Sequence, residues 1–156
     1  MILDRLRLDG RTALVTGGSQ GLGLGMARGL AEAGADVAIV ARSTDRVDAA
    51  VREIAELGRR AVGFTVDLGD LRAAMDVVDD VVAALGRIDI LVTAAATQLR
   101  KPALEVTPED WERMINVNMR AVYFMAQRAA THMLRQEAIG VGCRGKIINV
   151  ASLTAV

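Results

Sequence analysis

Three glycines at a fixed spacing form the part of this sequence that is best suited to hold a phosphate group. Gly17, Gly21 and Gly23 lie in residues 16–23 at the spacing T-G-x-x-x-G-x-G. An apolar run at residues 13–15 precedes them and apolar residues at helical spacing follow, so the pattern predicts a strand, a glycine turn and the start of a helix. The free amides and positive dipole end of such a helix attract a pyrophosphate, and glycine lets the backbone approach it closely.

The spacing excludes two common nucleotide-binding motifs. A G-x-G-x-x-G motif started at Gly21 has Met26 where its last glycine should be. No Gly-Lys-Ser/Thr follows, so the lysine and hydroxyl of a Walker loop are missing. A glycine turn between a strand and a helix can also be a tight packing connection, so the rest of the chain decides its function.

Two further side chains follow apolar runs that we predict to be strands. Arg42 takes the position where an acid usually binds the unphosphorylated ribose of NAD. An arginine there can hold a ribose phosphate by charged hydrogen bonds, which favours NADP over NAD. The alternative is that Arg42 is a solvated surface charge. Asp67, with Leu68 beside it, either accepts a hydrogen bond from an adenine amino group or caps a turn.

The predicted elements that position these side chains alternate along the chain. Strands are predicted at residues 13–15, 36–41, 61–66, 88–92 and 146–151, and helices at 21–33, 44–57, 71–85 and 107–135. Apolar strands separated by helices indicate an α/β fold with a parallel sheet covered on both faces. Right-handed crossovers predict a Rossmann-like doubly wound sheet of strand order 3-2-1-4-5, with a ligand crevice at the carboxyl ends of strands one and four.

Composition narrows the class of protein and its location. The 156 residues suffice for one domain with a sizeable core, and 52% of them are hydrophobic. Lys+Arg and Asp+Glu both number 19, so there is no basic field for a nucleic-acid partner. The single cysteine, Cys143, the charged N-terminus and the absence of a long apolar run predict a cytoplasmic protein with no membrane segment.

From Gly10 to its end, the chain resembles the short-chain dehydrogenase/reductase family. The resemblance is carried by the glycine motif, by D-L at residues 67–68, by Asn118 in I-N-V-N, and by I-N-V-A-S at residues 148–152. It implies an oxidoreductase that moves a hydride between NAD(P) and a carbonyl or alcohol, usually as a homodimer or homotetramer built partly on the long helix. Residues 1–156 would then be an NAD(P)-binding Rossmann domain.

The resemblance also implies site residues. Ser152 would hydrogen-bond the substrate oxygen, and Asn118 would position a water in a proton relay through a lysine. Hydride transfer leaves negative charge on an oxygen, so a fixed hydroxyl donor and a proton source suit the reaction. The candidate cofactor-binding residues are Gly17, Ser19, Gln20, Gly21, Leu22, Gly23, Arg42, Ser43, Asp67, Leu68, Ala94, Ala95 and Ala96. We expect no metal.

The sequence departs from the family pattern in two places. Residues 93–96 are T-A-A-A where the family usually has Asn-Asn-Ala-Gly. Two asparagine amides that tie neighbouring strands are therefore gone, and we expect cofactor binding to survive in weakened form. The family's proton-donating tyrosine and its lysine lie beyond the serine, but this chain ends at Val156, and Tyr123, followed at the fourth position by Gln127, does not match. We expect a C-terminally incomplete domain that is inactive alone and whose fifth strand is unprotected.

The remaining candidates leave the substrate open. Arg100 and Lys101 lie in a loop that resembles that of sugar-acid dehydrogenases; they either bind an acidic group or form a solvated charge pair. We expect His132 to be a surface residue, because a metal site needs companions. The sequence thus predicts an NADP-dependent oxidoreductase, NAD being less favoured, that acts on a small carbonyl or alcohol such as a sugar acid or 3-oxoacyl compound. The alternative is a noncatalytic dinucleotide-binding or association module.

Overall fold

A computed structural model describes residues 6–139 and 143–152 of the chain. Within them, a parallel sheet has the strand order β3-β2-β1-β4-β5, which confirms the predicted topology. The strands are β1 (Thr12–Thr16), β2 (Asp36–Ala41), β3 (Ala61–Thr65), β4 (Ile90–Thr93) and β5 (Lys146–Asn149). The helices are α1 (Gly21–Glu32), α2 (Thr44–Glu56), α3 (Leu71–Leu85), α4 (Pro108–Ile115) and α5 (Val122–Arg135).

The sheet separates two apolar layers. On β1, Leu14 faces a cluster that includes Val77 of α3 and Met125 of α5. Val15 faces the other cluster, with Ile54 of α2. All of these side chains are at most 1% exposed, and burying one such side chain stabilises the fold by about 1.5–3 kcal/mol. Alternate residues of β1 therefore hold helices on both faces of the sheet, as a parallel sheet requires.

Capping side chains set the start of α3 and the start of α4. The Asp70 side chain accepts hydrogen bonds from the amides of Arg72 and Ala73, and α3 ends at Gly86. Thr107 and Asp110 form a reciprocal capping box at the start of α4. These contacts satisfy amides that have no partner inside the helix.

The predicted single helix at residues 107–135 is wrong in one respect. A π-helical turn, Asn116–Ala121, separates α4 from α5. Such turns change the backbone hydrogen-bond register locally and often occur at functional sites. The turn contains Asn118, whose side chain has a partner outside the helix.

At the end of the sheet, β5 is more exposed than the other strands. Ile147 is 38% and Ile148 45% exposed, whereas all residues of β1 are buried. Within the described residues, β5 pairs with β4 alone. The expected unprotected fifth strand is therefore present in this part of the chain.

The sequence analysis expected His132 on the surface, but it is half-buried in a contact between α3 and α5. His132 Nε2 lies 2.6 Å from Asp79 Oδ1, and Arg128 Nη2 donates to Asp79 Oδ2 over 2.5 Å. The hydrogen bond from Arg128, followed by that from His132, lowers the pKa of the Asp79 carboxyl below its usual value of 3.8. Because the ionised form is favoured in the folded state, the contact stabilises the fold at neutral pH and loses this effect in acid.

This contact predicts a pH-dependent stability. Asp79→Asn is expected to lower the free energy of unfolding by about 1 kcal/mol at pH 7, since the carboxylate is partly solvated. The difference from the unaltered chain should shrink as the pH falls below the usual aspartate value of 3.8 and through the lower folded pKa. Urea unfolding at a series of pH values measures it; a difference that grows on acidification would contradict the assignment.

Candidate functional site

A cleft of about 450 Å³ opens at the carboxyl ends of the strands, where the glycine turn, β2, β3 and the loop after β4 meet. This volume lies within the range of small-molecule sites. All the cofactor-binding candidates line it: Gly17, Ser19, Gln20, Gly21, Leu22, Gly23, Arg42, Ser43, Asp67, Leu68, Ala94, Ala95 and Ala96. The structure brings these residues together, and their role in binding a cofactor stays a prediction.

The glycine turn forms one wall of the cleft through close backbone approach. Gly17 has a φ of +67°, and a Cβ at this position would lie 2.9 Å from Ala95 Cα. A Cβ on Gly23 would lie 2.3 Å from the Gly17 carbonyl oxygen, because the first turn of α1 packs directly on the glycine turn. Only glycine fits at either position without moving the backbone.

The free amides in the first turn of α1 lie at the cleft, and no side chain of that turn neutralises their positive charge. Its N-cap residue, Gln20, makes no side-chain capping bond, and the first turn contains no acidic residue. Gly21 and Leu22, at the start of α1, line the cleft. The positive end of this helix is therefore available to an anion.

Two threonine hydroxyls hold the strand ends that carry the loop after β4. Thr16 Oγ1 accepts hydrogen bonds from the amides of Ala94, at 3.1 Å, and Ala95, at 3.2 Å. Thr93 Oγ1 donates to Asn149 Oδ1 over 2.9 Å, joining β4 to β5. The ties that the sequence analysis expected to be lost with the family's asparagines are thus made by other groups.

Asn118 holds the same loop from the side of the π-helical turn. Its Oδ1 accepts from the Thr97 amide and its Nδ2 donates to the Thr97 carbonyl oxygen, each over 2.9 Å. Thr97 lines the cleft. Asn118 itself lies outside the cleft lining, as does Ser152, which is exposed beyond the carboxyl end of β5. The structure therefore gives Asn118 a direct role in fixing the cleft wall.

This contact predicts a local change on mutation. Asn118→Ala should expose the Thr97 amide and accelerate its hydrogen exchange by about fivefold, the equivalent of roughly 1 kcal/mol for one hydrogen bond. Asn116→Ala is the matched control, because Asn116 lies in the same turn and its Oδ1 bonds Arg120 instead. Equal exchange rates at Thr97 in both variants would show that the Asn118 contact does not hold the loop.

The residues after β2 and β3 are those for which the sequence left two alternative roles. Arg42 lines the cleft and makes no hydrogen bond or ion pair within the described residues. Asp67 Oδ1 accepts from the Gly69 amide over 2.9 Å, so this residue does form a turn, but it lines the cleft as well. Leu68 is 7% exposed and joins the core beneath.

Other cleft residues escaped the sequence analysis. Arg46 lies on the first turns of α2, four residues after Arg42, and its Nη1 donates to Gln20 Oε1. The four-residue spacing between Arg42 and Arg46, about one helical turn, was the sequence signal that could have revealed Arg46 as a cleft residue. Arg113 and Val117 contribute the opposite wall, and their place depends on how the long helix crosses the sheet, which no local pattern reveals.

Arg100 and Lys101, the two charged residues in the loop after β4, differ in their contacts. Lys101 Nζ donates to Asp110 Oδ2 over 2.5 Å, and this bond is the main cause that lowers the pKa of the Asp110 carboxyl. Lys101 thus ties the loop to the start of α4. Arg100 is exposed and makes no hydrogen bond or ion pair in the part of the chain that the structure describes.

The described residues contain neither a candidate metal site nor a helix suited to span a membrane. No group of three or more potential ligands among His, Cys, Asp and Glu is placed to hold a metal ion in residues 6–139 and 143–152. No helix in these residues is both long and apolar enough to cross a membrane.

Comparison with known proteins gives the family. The short chain dehydrogenase family profile matches residues 11–156. The 2-dehydro-3-deoxy-D-gluconate 5-dehydrogenase of Escherichia coli is 42% identical over 98% of this chain. A short chain dehydrogenase of Burkholderia cenocepacia, solved in complex with NADP, is 41% identical over 96% of this chain with a TM-score of 0.86. A gluconate 5-dehydrogenase from that organism, solved with NADP and tartrate, is 39% identical over 97% of this chain with a TM-score of 0.83.

The fold and the cleft define a dinucleotide-binding type of α/β protein. The chain belongs to the short chain dehydrogenase family. It spans 58% of the length of the Escherichia coli relative and 58% and 57% of the two solved structures.

Proposed function

We propose that residues 1–156 are the cofactor-binding domain of an NADP-dependent dehydrogenase that acts on a small carbonyl or alcohol. One observation carries the proposal: a single cleft at the carboxyl ends of the strands is lined by the glycine turn, the uncapped start of α1 and Arg42, which has no partner among the described residues. The relatives solved with NADP support the same choice of cofactor.

The residues present fit this cofactor. Free amides at the start of α1 suit its pyrophosphate, and the absence of a Cβ at Gly17 and Gly23 leaves the backbone close to it. Arg42 is proposed to hold the ribose phosphate, and Asp67 with Leu68 to contact the adenine; all three line the cleft. Ala94, Ala95 and Ala96, which follow β4 beside the glycine turn, leave this part of the cleft free of large side chains.

When bound, the nicotinamide would accept or supply the hydride. We propose that the Ser152 hydroxyl donates a hydrogen bond to the reacting oxygen of the substrate, where negative charge develops. The position of Ser152, just past the carboxyl end of β5, supports this role. Asn118 keeps its proposed part in the proton relay, which rests on the family resemblance, alongside its contact with Thr97.

The proton donor is proposed to lie in the part of the full-length relatives that this chain does not span. Tyr123 on α5 is 63% exposed, and Gln127 stands where a partner lysine is expected. The 156-residue chain alone should therefore bind cofactor without turnover. The second candidate function is a noncatalytic dinucleotide-binding module, which the mismatch at Tyr123 and Gln127 favours.

A sugar acid is the proposed substrate class, and Arg100, in the loop after β4, is the residue that supports it. The exposed Arg100 is without a partner among the described residues, whereas its neighbour Lys101 is bonded to Asp110. A guanidinium of this kind binds a carboxylate through paired hydrogen bonds. The names of the Escherichia coli relative and of the tartrate-bound neighbour point to the same chemistry.

Self-association and a cytoplasmic location complete the proposal. Trp111 of α4, Met119 of the π-helical turn and Tyr123 of α5 are 60%, 62% and 63% exposed. A second copy of the chain is the proposed partner for this apolar surface, giving a homodimer or homotetramer, because large exposed apolar residues mark association sites. The single cysteine, Cys143, is consistent with a reducing compartment.

Hydride transfer by the natural protein tests the proposal. Purified protein is mixed with NADP⁺ and either a sugar acid or the matching uncharged polyol, and formation of reduced cofactor is followed by its absorbance. We expect Arg100→Ala to raise the KM for the acid at least about tenfold, equivalent to roughly 1.4 kcal/mol, and to leave the polyol unaffected. Cofactor binding with no turnover of any carbonyl or alcohol would favour the noncatalytic module, and absence of binding would overturn both.

A further inference from the structure

Arg46 occupies an unusual position beside the cleft. It lies one helical turn after Arg42 and lines the same cavity. Its Nη1 donates to Oε1 of Gln20, a residue of the glycine turn that is remote in sequence. The exposed side chain of Arg46 is therefore directed toward the phosphate-binding turn.

The partner of Arg46 distinguishes it from other arginines nearby. Arg28 on α1 pairs with the carboxylate of Glu53 on α2, and Arg59 pairs with Asp36. Arg46 is held by a neutral amide, so the contact fixes its direction without neutralising its charge. Gln20 is free to do this because its side chain makes no helix-capping bond.

The start of α2 adds further groups that an anion can use. The N-cap residue Ser43 lines the cleft and makes no side-chain capping bond. Arg42 has no hydrogen-bonding partner in the described residues. The first turn of α2 also contains one acidic residue, Asp45, which opposes anion binding there. A phosphate monoester carries up to two negative charges and three acceptor oxygens, more than the fork of one arginine can satisfy.

We propose that Arg46, positioned by Gln20, is a second determinant of the preference for NADP and binds the ribose phosphate together with Arg42. The inference rests on the proposed function and extends it by one specificity-determining residue and one positioning residue. It differs from the sequence expectation, in which Arg42 alone reads the phosphate.

The experiment compares the affinities of NADPH and NADH, measured by fluorescence of the reduced nicotinamide. Arg46→Gln is expected to lower the affinity for NADPH about tenfold and to change the affinity for NADH less than about twofold, because NADH has no ribose phosphate. Arg52→Gln is the matched control; Arg52 is on the same helix, exposed, and without a partner among the described residues. It should change neither affinity. Unchanged NADH binding also shows that the Arg46 variant is folded.

Gln20 is tested by a double-mutant cycle. Gln20→Ala should lower the affinity for NADPH more than the affinity for NADH, and Arg46→Gln should lower the NADPH affinity less in that background than in the unaltered chain. Gln20→Glu should also weaken NADPH, because a carboxylate would neutralise Arg46. Equal losses for both nucleotides, or no loss for NADPH, would overturn the role of Arg46. If the unaltered protein binds neither nucleotide, the proposed function fails and the inference with it.

Discussion

Gly23→Ala is expected to destroy most of the affinity for NADPH. The added Cβ would lie 2.3 Å from the carbonyl oxygen of Gly17 and 2.8 Å from its carbonyl carbon. Both atoms are backbone, so α1 must move away from the glycine turn. Overpacking of this kind costs about 1–3 kcal/mol, and displacement of the helix start should lower the affinity about a hundredfold.

Gly25→Ala is the matched control for this prediction. Gly25 lies two residues further along α1, and no atom lies within 4 Å of the Cβ that alanine would add. This variant should bind NADPH normally and gain about 0.5–1 kcal/mol in the free energy of unfolding. Nucleotide titration and urea unfolding measure both effects; equal NADPH affinities for the two variants would refute the packing argument.

Asp89→Ala is expected to cost about 3–5 kcal/mol of stability. Asp89 is 1% exposed and lies just before β4, at the end of the sheet opposite the cleft. It accepts two hydrogen bonds from Arg87 at 2.8 Å, one from the Thr12 amide at 2.9 Å and one from Gln136 at 3.2 Å. The mutation would leave these donors without their acceptor, and Arg87 would lose the bond that raises its pKa.

This loss is a large fraction of the 5–15 kcal/mol typical of a domain. The control is Asp76→Ala, which removes an exposed ion pair with Arg72 at 3.6 Å and should cost less than about 0.5 kcal/mol. Chemical unfolding of the two variants measures the difference. A loss below about 1 kcal/mol for Asp89→Ala would mean that the buried network contributes little to this fold.

The sequence predicted the sheet and the contents of the cleft because both follow from local patterns. Apolar runs between helical patterns determine a parallel sheet, and residues directly after such runs must meet at one edge. This is why Arg42 and Asp67 could be placed beside the glycine turn before the structure was known. The ends of the strands were less accurate: β4 begins at Ile90 rather than residue 88, and β5 ends at Asn149 rather than residue 151.

The features that escaped prediction depend on contacts across the fold. The π-helical turn follows from a shift of backbone register, and although the family resemblance singled out Asn118 within it, no local pattern indicated the contact of Asn118 with Thr97. Pairing of Arg46 with Gln20 joins two elements that are remote in sequence. The hydroxyl of Thr16 reaches the loop after β4 because β1 and β4 are neighbours in the sheet, and the sequence offered no sign of this contact.

Titration of the purified protein with NADPH and with NADH tests the central claim most directly. We expect NADPH to bind at least about tenfold more tightly than NADH, and Arg42→Asp to reverse the preference by removing a positive charge and repelling the ribose phosphate. Equal affinities for the two nucleotides, or equal losses in the Arg42 variant, would contradict the proposal that this cleft is built for NADP.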